Sequence, residues 1–190
     1  MRTPEAILDA AFAIYSEEGL SRLSMRAVAG RVGLSATALY RHYRGKDELI
    51  DAVSERGFEI FGGTLRRAPR ARDPRLRVFG ILDRYRAFAL QRPDLFRLMF
   101  STPRRRLRRF PADFAAHRSA VFDDLRTAVE AAQEAGLFRR ADPLETTLDL
   151  WAFAHGLLTL NEAGRFGPDA GAFTRLYRRS IRRFVGGLGQ

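Results

Sequence analysis

The chain has 190 residues, 46% of them hydrophobic, enough to bury a core arranged as a small head plus a body. Its formal charge of +11 and pI near 11.2 favour an acidic polymer as partner. The absence of cysteine excludes disulfides, thiolate zinc sites and cysteine nucleophiles.

No apolar run approaches about eighteen residues, and Met1 to Pro4 is not a signal peptide, so the expectation is a cytoplasmic protein with no membrane partner. All but one of the 33 basic residues are arginine, so where the charge sits carries more weight than its total. Apolar spacing is helical throughout, and no stretch alternates as a strand would. The expected fold is all-α, with about nine helices.

The first helix opens at Thr3-Pro4-Glu5: a cap, a proline at the first helical position and an acid near the positive end of the dipole. Ile7, Ala10, Ala11, Ile14 and Tyr15 then recur at helical spacing, and Gly19 stops the helix. The short arm before it offers only Arg2 to a minor groove, too little for a role.

Ser24 to Lys46, SMRAVAGRVGLSATALYRHYRGK, reads as two short helices and a tight turn. Ser24 caps the first, with Val28, Ala29 and Val32 as its apolar side. Gly33 stands where the chain needs positive φ, Leu34 turns back toward the core, and Ser35 caps a second helix from Ala36 to Tyr43. Leu39 and Tyr43 share one side of that helix. The other side presents Ala36, Thr37, Tyr40 and Arg41, flanked by His42, a combination suited to a DNA major groove. From Leu20 to Lys46 the cations Arg22, Arg26, Arg31, Arg41, Arg44 and Lys46 occur without a single acid, an electrostatic footprint for phosphate. The plainer alternative is an arginine-rich surface on a small helical domain.

Gly45-Lys46-Asp47-Glu48 starts a fourth helix reaching about Arg67, with Leu49, Val53, Phe58 and Phe61 apolar. Lys46 at its start suits a phosphate contact, because cation and unpaired N–H groups point the same way; the alternative is a solvated lysine. After the basic loop RRAPRAR, Asp73-Pro74 opens a fifth helix with Val78, Ile81, Leu82, Tyr85, Phe88 and Ala89 inward. Pro93 begins a sixth, in which Phe96, Met99 and Phe100 form either plain core or an adaptable pocket wall. The stretch 101–111, STPRRRLRRFP, places five arginines in the six positions Arg104 to Arg109 and reads as an exposed loop.

A seventh helix is expected over Phe114 to Ala135, with Phe114, Val121, Phe122, Leu125 and Val129 inward and Gly136 as its stop. Asp142-Pro143-Leu144-Glu145 reads as a capping box that opens an eighth. That helix carries Leu144, Leu148, Trp151, His155 and Leu158 down one face. Trp151 and His155, a turn apart, are either core residues or the flank of a ligand pocket with His155 as its polar anchor. The ninth helix, Phe173 to Val185, sets Phe173, Leu176, Tyr177, Ile181 and Phe184 against five arginines. The tail GGLGQ is expected to be disordered.

No catalytic or metal constellation emerges, and no cofactor is expected. His42, His117 and His155 fall in different helices, without an i+4 ligand pair, and no phosphate loop or nucleophile elbow follows a strand.

The order AILDAAFAIYSEEG, SMRAVAGRVGLS, ALYRHY and KDEL resembles the TetR/AcrR family of bacterial transcriptional regulators over about the first fifty residues. RPDLFRLMF and WAFAHG resemble a C-terminal subgroup of that family marked by Trp, His and Gly. The resemblance implies a helix-turn-helix domain at 1–45 and a ligand-binding and dimerisation domain at 46–190, in a homodimer that releases DNA when a ligand binds. It implies base-proximal roles for Arg26, Ala36, Thr37 and Arg41, and phosphate roles for Tyr40, His42 and Lys46, with Ser24 and Ser35 completing the DNA-binding set. The dimer interface is expected at Leu148, Leu158, Phe173, Leu176, Tyr177, Ile181 and Phe184, as a four-helix bundle. A small apolar or aromatic effector is expected near Tyr85, Phe88, Phe96, Met99, Phe100, Phe122, Trp151 and His155. Family topology brings the sixth helix near the head, where the Arg104–Arg109 loop would add phosphate contacts. The expected function is therefore a sequence-specific repressor on a pseudo-palindromic double-stranded DNA operator. The alternatives are a sequence-indifferent architectural DNA binder, and a helical interaction protein that has lost DNA binding.

Overall fold

A computed structural model describes residues 4–66, 71–102 and 108–189. Arg2 and the arginines 104 to 106 lie outside the described residues. Those described form ten helices and no strand: α1 (Pro4–Glu18), α2 (Met25–Val32), α3 (Ala36–Tyr40), α4 (Lys46–Arg66), α5 (Pro74–Gln91), α6 (Pro93–Phe100), α7 (Ala112–Ala115), α8 (Ala120–Glu134), α9 (Pro143–Glu162) and α10 (Ala170–Gly187). Among them no helix is long and apolar enough to cross a membrane.

The chain divides into two compact units, Met1–Phe61 with Arg92–Leu107, and Gly62–Gln91 with Arg108–Gln190. The division falls inside α4, and it places α6 with the helix-turn-helix. Gly57 shows why. A Cβ there would come within 2.9 Å of Leu95 Cδ1 and Met99 Sδ, so α6 lies directly on α4. Phe58 meets Phe100 edge-on at 5.4 Å, and the Tyr15 hydroxyl donates to the Asp94 carbonyl. Burial, then the negative charge of the Asp94 carboxylate, raises the Tyr15 phenol to about 12. The core of this unit is Ile7, Ala11, Ile14, Leu23, Val28, Leu39, Leu49 and Val53. Each large aliphatic chain there contributes about 1.5–3 kcal/mol of burial.

In the second unit α5 packs on α8, α9 and α10, and α9 on α8 and α10. Val78, Ile81, Leu82, Tyr85, Phe88 and Ala89 face inward from α5 as the spacing predicts. One helix was expected from Phe114 to Ala135, but the chain breaks at His117, which adopts φ 55°. The Arg118 N–H donates to the Asp113 carbonyl (2.9 Å) and the His117 N–H to that of Phe114 (3.3 Å), a Schellman closure of α7. The reason is aromatic packing: Phe114 and Phe122 would sit about 12 Å apart along one helix, whereas their rings lie 4.8 Å apart.

The inward face of α9 is Thr146, Thr147, Leu150, Ala154 and Leu158, with Leu144, Leu148, Trp151 and His155 only half-buried at its edge. α10 begins earlier than expected because Asp169 Oδ1 accepts from the Gly171 (2.8 Å) and Ala172 (3.0 Å) N–H groups. Its end is tied down, since the Arg139 N–H donates to the Leu188 carbonyl at 2.7 Å, which corrects the expectation of a disordered tail for Leu188.

Candidate DNA-binding surface and aromatic cluster

The helix-turn-helix is built by local caps. Ser24 Oγ accepts from the Ala27 N–H and Ser35 Oγ from the Ala38 N–H, both at 3.1 Å. Gly33, at φ 68°, closes α2 with its N–H on the Gly30 carbonyl and that of Leu34 on the Ala29 carbonyl. α3 ends at Tyr40, short of the expected Tyr43, because the Leu39 carbonyl takes the N–H groups of both His42 (2.9 Å) and Tyr43 (3.1 Å). Leu39 is buried, while Arg26, Ser35, Ala36, Thr37, Tyr40, Arg41 and His42 are exposed and Ser24 is half-buried. Lys46 is exposed at the start of α4, its Nζ 3.4 Å from the Leu20 carbonyl. The Arg44 N–H donates to Glu48 Oε2 at 2.6 Å. Burial, then the Glu48 carboxylate, raises the Tyr43 phenol.

The charge pattern sorts itself in three dimensions. Glu17 and Glu18 at the end of α1 reach Arg31 (2.6 and 3.8 Å), and Glu18 also reaches Arg22 (3.5 Å). Two of the six cations are thereby answered. Arg26, Arg41, Arg44 and Lys46 form no ion pair among the described residues, leaving four unpaired cations around an exposed α3. Such a surface binds phosphate by counterion release and offers planar guanidinium donors to base edges.

The eight residues expected to hold an effector fall into both units. Phe96, Met99 and Phe100 belong to the first, where Phe96 and Met99 are buried and the Phe96 and Phe100 rings are 4.9 Å apart. Tyr85, Phe88, Phe122, Trp151 and His155 belong to the second. There the Tyr85 hydroxyl lies 2.7 Å from His155 Nδ1 and accepts from Trp151 Nε1 at 3.2 Å. Burial pushes the Tyr85 phenol well up and the His155 imidazole down, so both are neutral near pH 7. The Tyr85 hydroxyl and the neutral His155 ring thus share a hydrogen bond through Nδ1. Phe114 and Phe122 stand 5.9 and 6.1 Å from the Trp151 ring. Phe114 was read as core and not as part of this site; its place depends on the break at His117, which the sequence pattern hides.

Asp83 was missed altogether. On α5 it holds Arg178 through two bonds (2.9 and 2.8 Å) and the buried Arg86 through one (3.0 Å), and Arg86 continues to Thr174 Oγ1 at 3.0 Å. Bonding to Arg178, then to Arg86, outweighs burial and lowers the Asp83 carboxyl to about 2. The signal available was the i, i+3 pair of Asp83 and Arg86 inside an apolar helix.

Of the expected dimer residues, Leu158, Phe173, Tyr177 and Ile181 lie in the core of the subunit itself, and the Tyr177 hydroxyl donates to the Leu82 carbonyl at 2.9 Å. They are not surface positions: Leu158 lies on the inward face of α9, and α10 turns Phe173, Tyr177 and Ile181 inward, Tyr177 onto α5. Leu148, Leu176 and Phe184 are half-buried, with Phe184 stacked on Phe153 at 4.6 Å, and Leu160 is 47% exposed. Among the described residues no group of His, Cys, Asp and Glu could hold a metal ion.

Residues 7–53 match the family of bacterial regulatory proteins, tetR family, and residues 78–184 match the tetracyclin repressor-like C-terminal domain. An uncharacterised HTH-type transcriptional regulator of Haemophilus influenzae is 33% identical over 101 residues, 52% of this chain and 49% of that one. The HTH-type transcriptional repressor DrrR1 of Streptomyces coeruleorubidus is 43% identical over 54 residues, 28% of this chain and 20% of that one. The matched stretches thus span half or less of these curated relatives. A solved structure of a protein of unknown function from Rhodococcus sp. RHA1 aligns with a TM-score of 0.76 at 27% identity, covering 98% of this chain and 95% of that one.

Proposed function

The chain belongs to the tetR family of bacterial transcriptional regulators, and from that premise we propose that it is a ligand-responsive repressor that binds a pseudo-palindromic operator as a homodimer. Regulators of this family act by binding DNA and not by catalysis. The observation that carries the reading is the set of unpaired cations Arg26, Arg41, Arg44 and Lys46 around the exposed α3, beside two arginines that α1 has neutralised. Arg26, Ala36, Thr37 and Arg41 approach base edges, while Tyr40, His42 and Lys46 hold phosphates. Ser24 and Ser35 act by capping the two helices that carry them. That a relative is named a repressor favours repression over activation.

The effector is a small apolar or aromatic molecule received beside Tyr85, Phe88, Phe122, Trp151 and His155. It releases DNA only in so far as it prefers the conformation that binds DNA poorly. Dimerisation uses the outward sides of α9 and α10, where Leu160, Leu148 and Leu176 remain available, and the protein works in the cytoplasm beside its operator.

Selection of bound duplexes from a random pool, followed by anisotropy titration, tests the reading. The selected sites should be pseudo-palindromes bound about a thousandfold more tightly than scrambled DNA at physiological salt. Equal binding of both would favour an architectural protein instead.

A further inference from the structure

α5 and α10 enclose an open groove of about 340 Å³ lined by Leu76, Phe79, Gly80 and Asp83 from one helix and Tyr177, Arg178, Ile181 and Arg182 from the other. Its wall and floor are apolar. Leu76 is 57% exposed, Phe79 half-buried, and Tyr177 and Ile181 close the floor. Leu76 thus lines the groove together with the rings of Phe79 and Tyr177, and an apolar chain laid there would remove its exposed side chain from water.

The charge in the groove is one-sided. Asp83 is the acid in the lining, and Arg178 and Arg86 already hold it. Arg182 stands one turn beyond Arg178 and forms no ion pair among the described residues. A guanidinium unanswered by any carboxylate therefore borders an apolar wall.

Gly80 adds an independent observation. It lies in the middle of α5, where glycine costs about 1 kcal/mol relative to alanine. No heavy atom lies within 4 Å of where its Cβ would be, so close helix packing does not account for it. The missing side chain keeps the groove open.

We propose that this groove is a second ligand site, for a small amphipathic anion: a carboxylate on a short aliphatic chain. The chain lies along Leu76, Phe79 and Ile181 over Gly80, and the carboxylate pairs with Arg182 in a charge-assisted, two-pronged geometry. The volume is at the small end for ligand pockets, which limits the apolar part to a short chain. The site is distinct from the Tyr85–Trp151–His155 cluster. It also lies on the α5 flank of α10, whereas Phe184 packs on α9.

The test uses the full chain with octanoate and, as its uncharged counterpart, 1-octanol, followed by calorimetry. Octanoate should saturate at one per chain below about 1 mM, with octanol about tenfold weaker, since a charge-assisted bond is lost. Arg182→Gln should weaken octanoate by about tenfold and leave octanol unchanged. Gly80→Leu should abolish binding of both while circular dichroism and melting show the fold intact. Arg182→Gln, a surface change, still decides the matter should Gly80→Leu fail to fold. Absence of saturable binding, equal affinity for the two probes, or indifference to Gly80→Leu overturns the proposal. A change in sedimentation with Gly80→Leu overturns it too, since the groove would then hold a second copy of the chain.

Discussion

The hydroxyl of Tyr85 sits 2.7 Å from Nδ1 of His155, with Trp151 Nε1 donating to the same oxygen. A buried phenol is held by hydrogen bonds, and the His155 ring nitrogen is one of the partners of this hydroxyl. His155→Leu removes this bond and should therefore cost about 1–3 kcal/mol. Adding Tyr85→Phe should recover part of that loss, and a double-mutant cycle by urea unfolding measures the coupling.

The same pair fixes a pH dependence. Burial lowers the His155 pKa below the ordinary 6.5, so between those two values the unfolded chain binds the proton and the folded one does not. Stability then rises with pH across that window, and it falls as the pH drops below about 6.5. His155→Leu should flatten the melting temperature between pH 7 and pH 5 relative to wild type. An unchanged slope would mean His155 titrates alike in both states.

Asp83 predicts a second, more acidic window. Its folded carboxyl titrates near 2 against an ordinary 3.8, so its contribution is complete above about 4 and disappears as the pH falls toward 2. Asp83→Ala should cost about 2–3 kcal/mol at pH 7, below the range for a fully buried pair because the side chain is 35% exposed. The cost comes mainly from Arg86, left buried without its carboxylate. Acid unfolding followed by circular dichroism should show the steep wild-type loss between pH 4 and pH 2 made shallower in the variant.

What was legible in the sequence was local. Ser24, Gly33 and Ser35 announce the turn because each acts on N–H or carbonyl groups within a few residues. The inward face of α9 was misread because Thr146 and Thr147 look polar. In the fold their hydroxyls donate to the Asp142 (2.8 Å) and Pro143 (2.6 Å) carbonyls, so they bury without penalty. The break between α7 and α8 serves a contact of Phe114 with Phe122 and Trp151, partners that helical periodicity cannot reveal. The six-cation run looked uniform for the same reason: the acids that answer Arg22 and Arg31 arrive from α1.

The proposed dimer would use the apolar positions that α9 and α10 leave accessible, Leu160 exposed and Leu176 half-buried. Tyr177 is a core residue, so a charge there would unfold the second unit and reveal nothing about assembly. Leu160→Glu combined with Leu176→Glu should instead give a folded monomer that loses operator binding, because burying unpaired carboxylates in an interface costs several kcal/mol. Analytical ultracentrifugation at micromolar concentration reads the outcome. A wild-type monomer under those conditions would sink the proposed assembly.

On the proposed reading, Arg26 and Lys46 separate the reading of bases from the holding of phosphates. Both are exposed and form no ion pair among the described residues, so neither substitution removes a salt bridge seen there. Arginine pairs with guanine O6 and N7 through a planar fork, so Arg26→Ala should cost about 1–3 kcal/mol on the operator and relax the preference at one base pair of each half-site. On the same reading the small Ala36 and Ala38 would offer only methyl contacts, which would leave much of the specificity to Arg26 and Arg41. Lys46 acts as a point charge at the start of α4, so Lys46→Ala should weaken all DNAs alike. Its slope of log affinity against log salt should fall by about 0.9 per head. Anisotropy titrations on operator and scrambled duplexes at several salt concentrations measure both effects together. Equal losses from the two substitutions on both duplexes would leave Arg26 no base-reading role, and the specificity would have to come from Thr37 and Arg41 or from DNA shape.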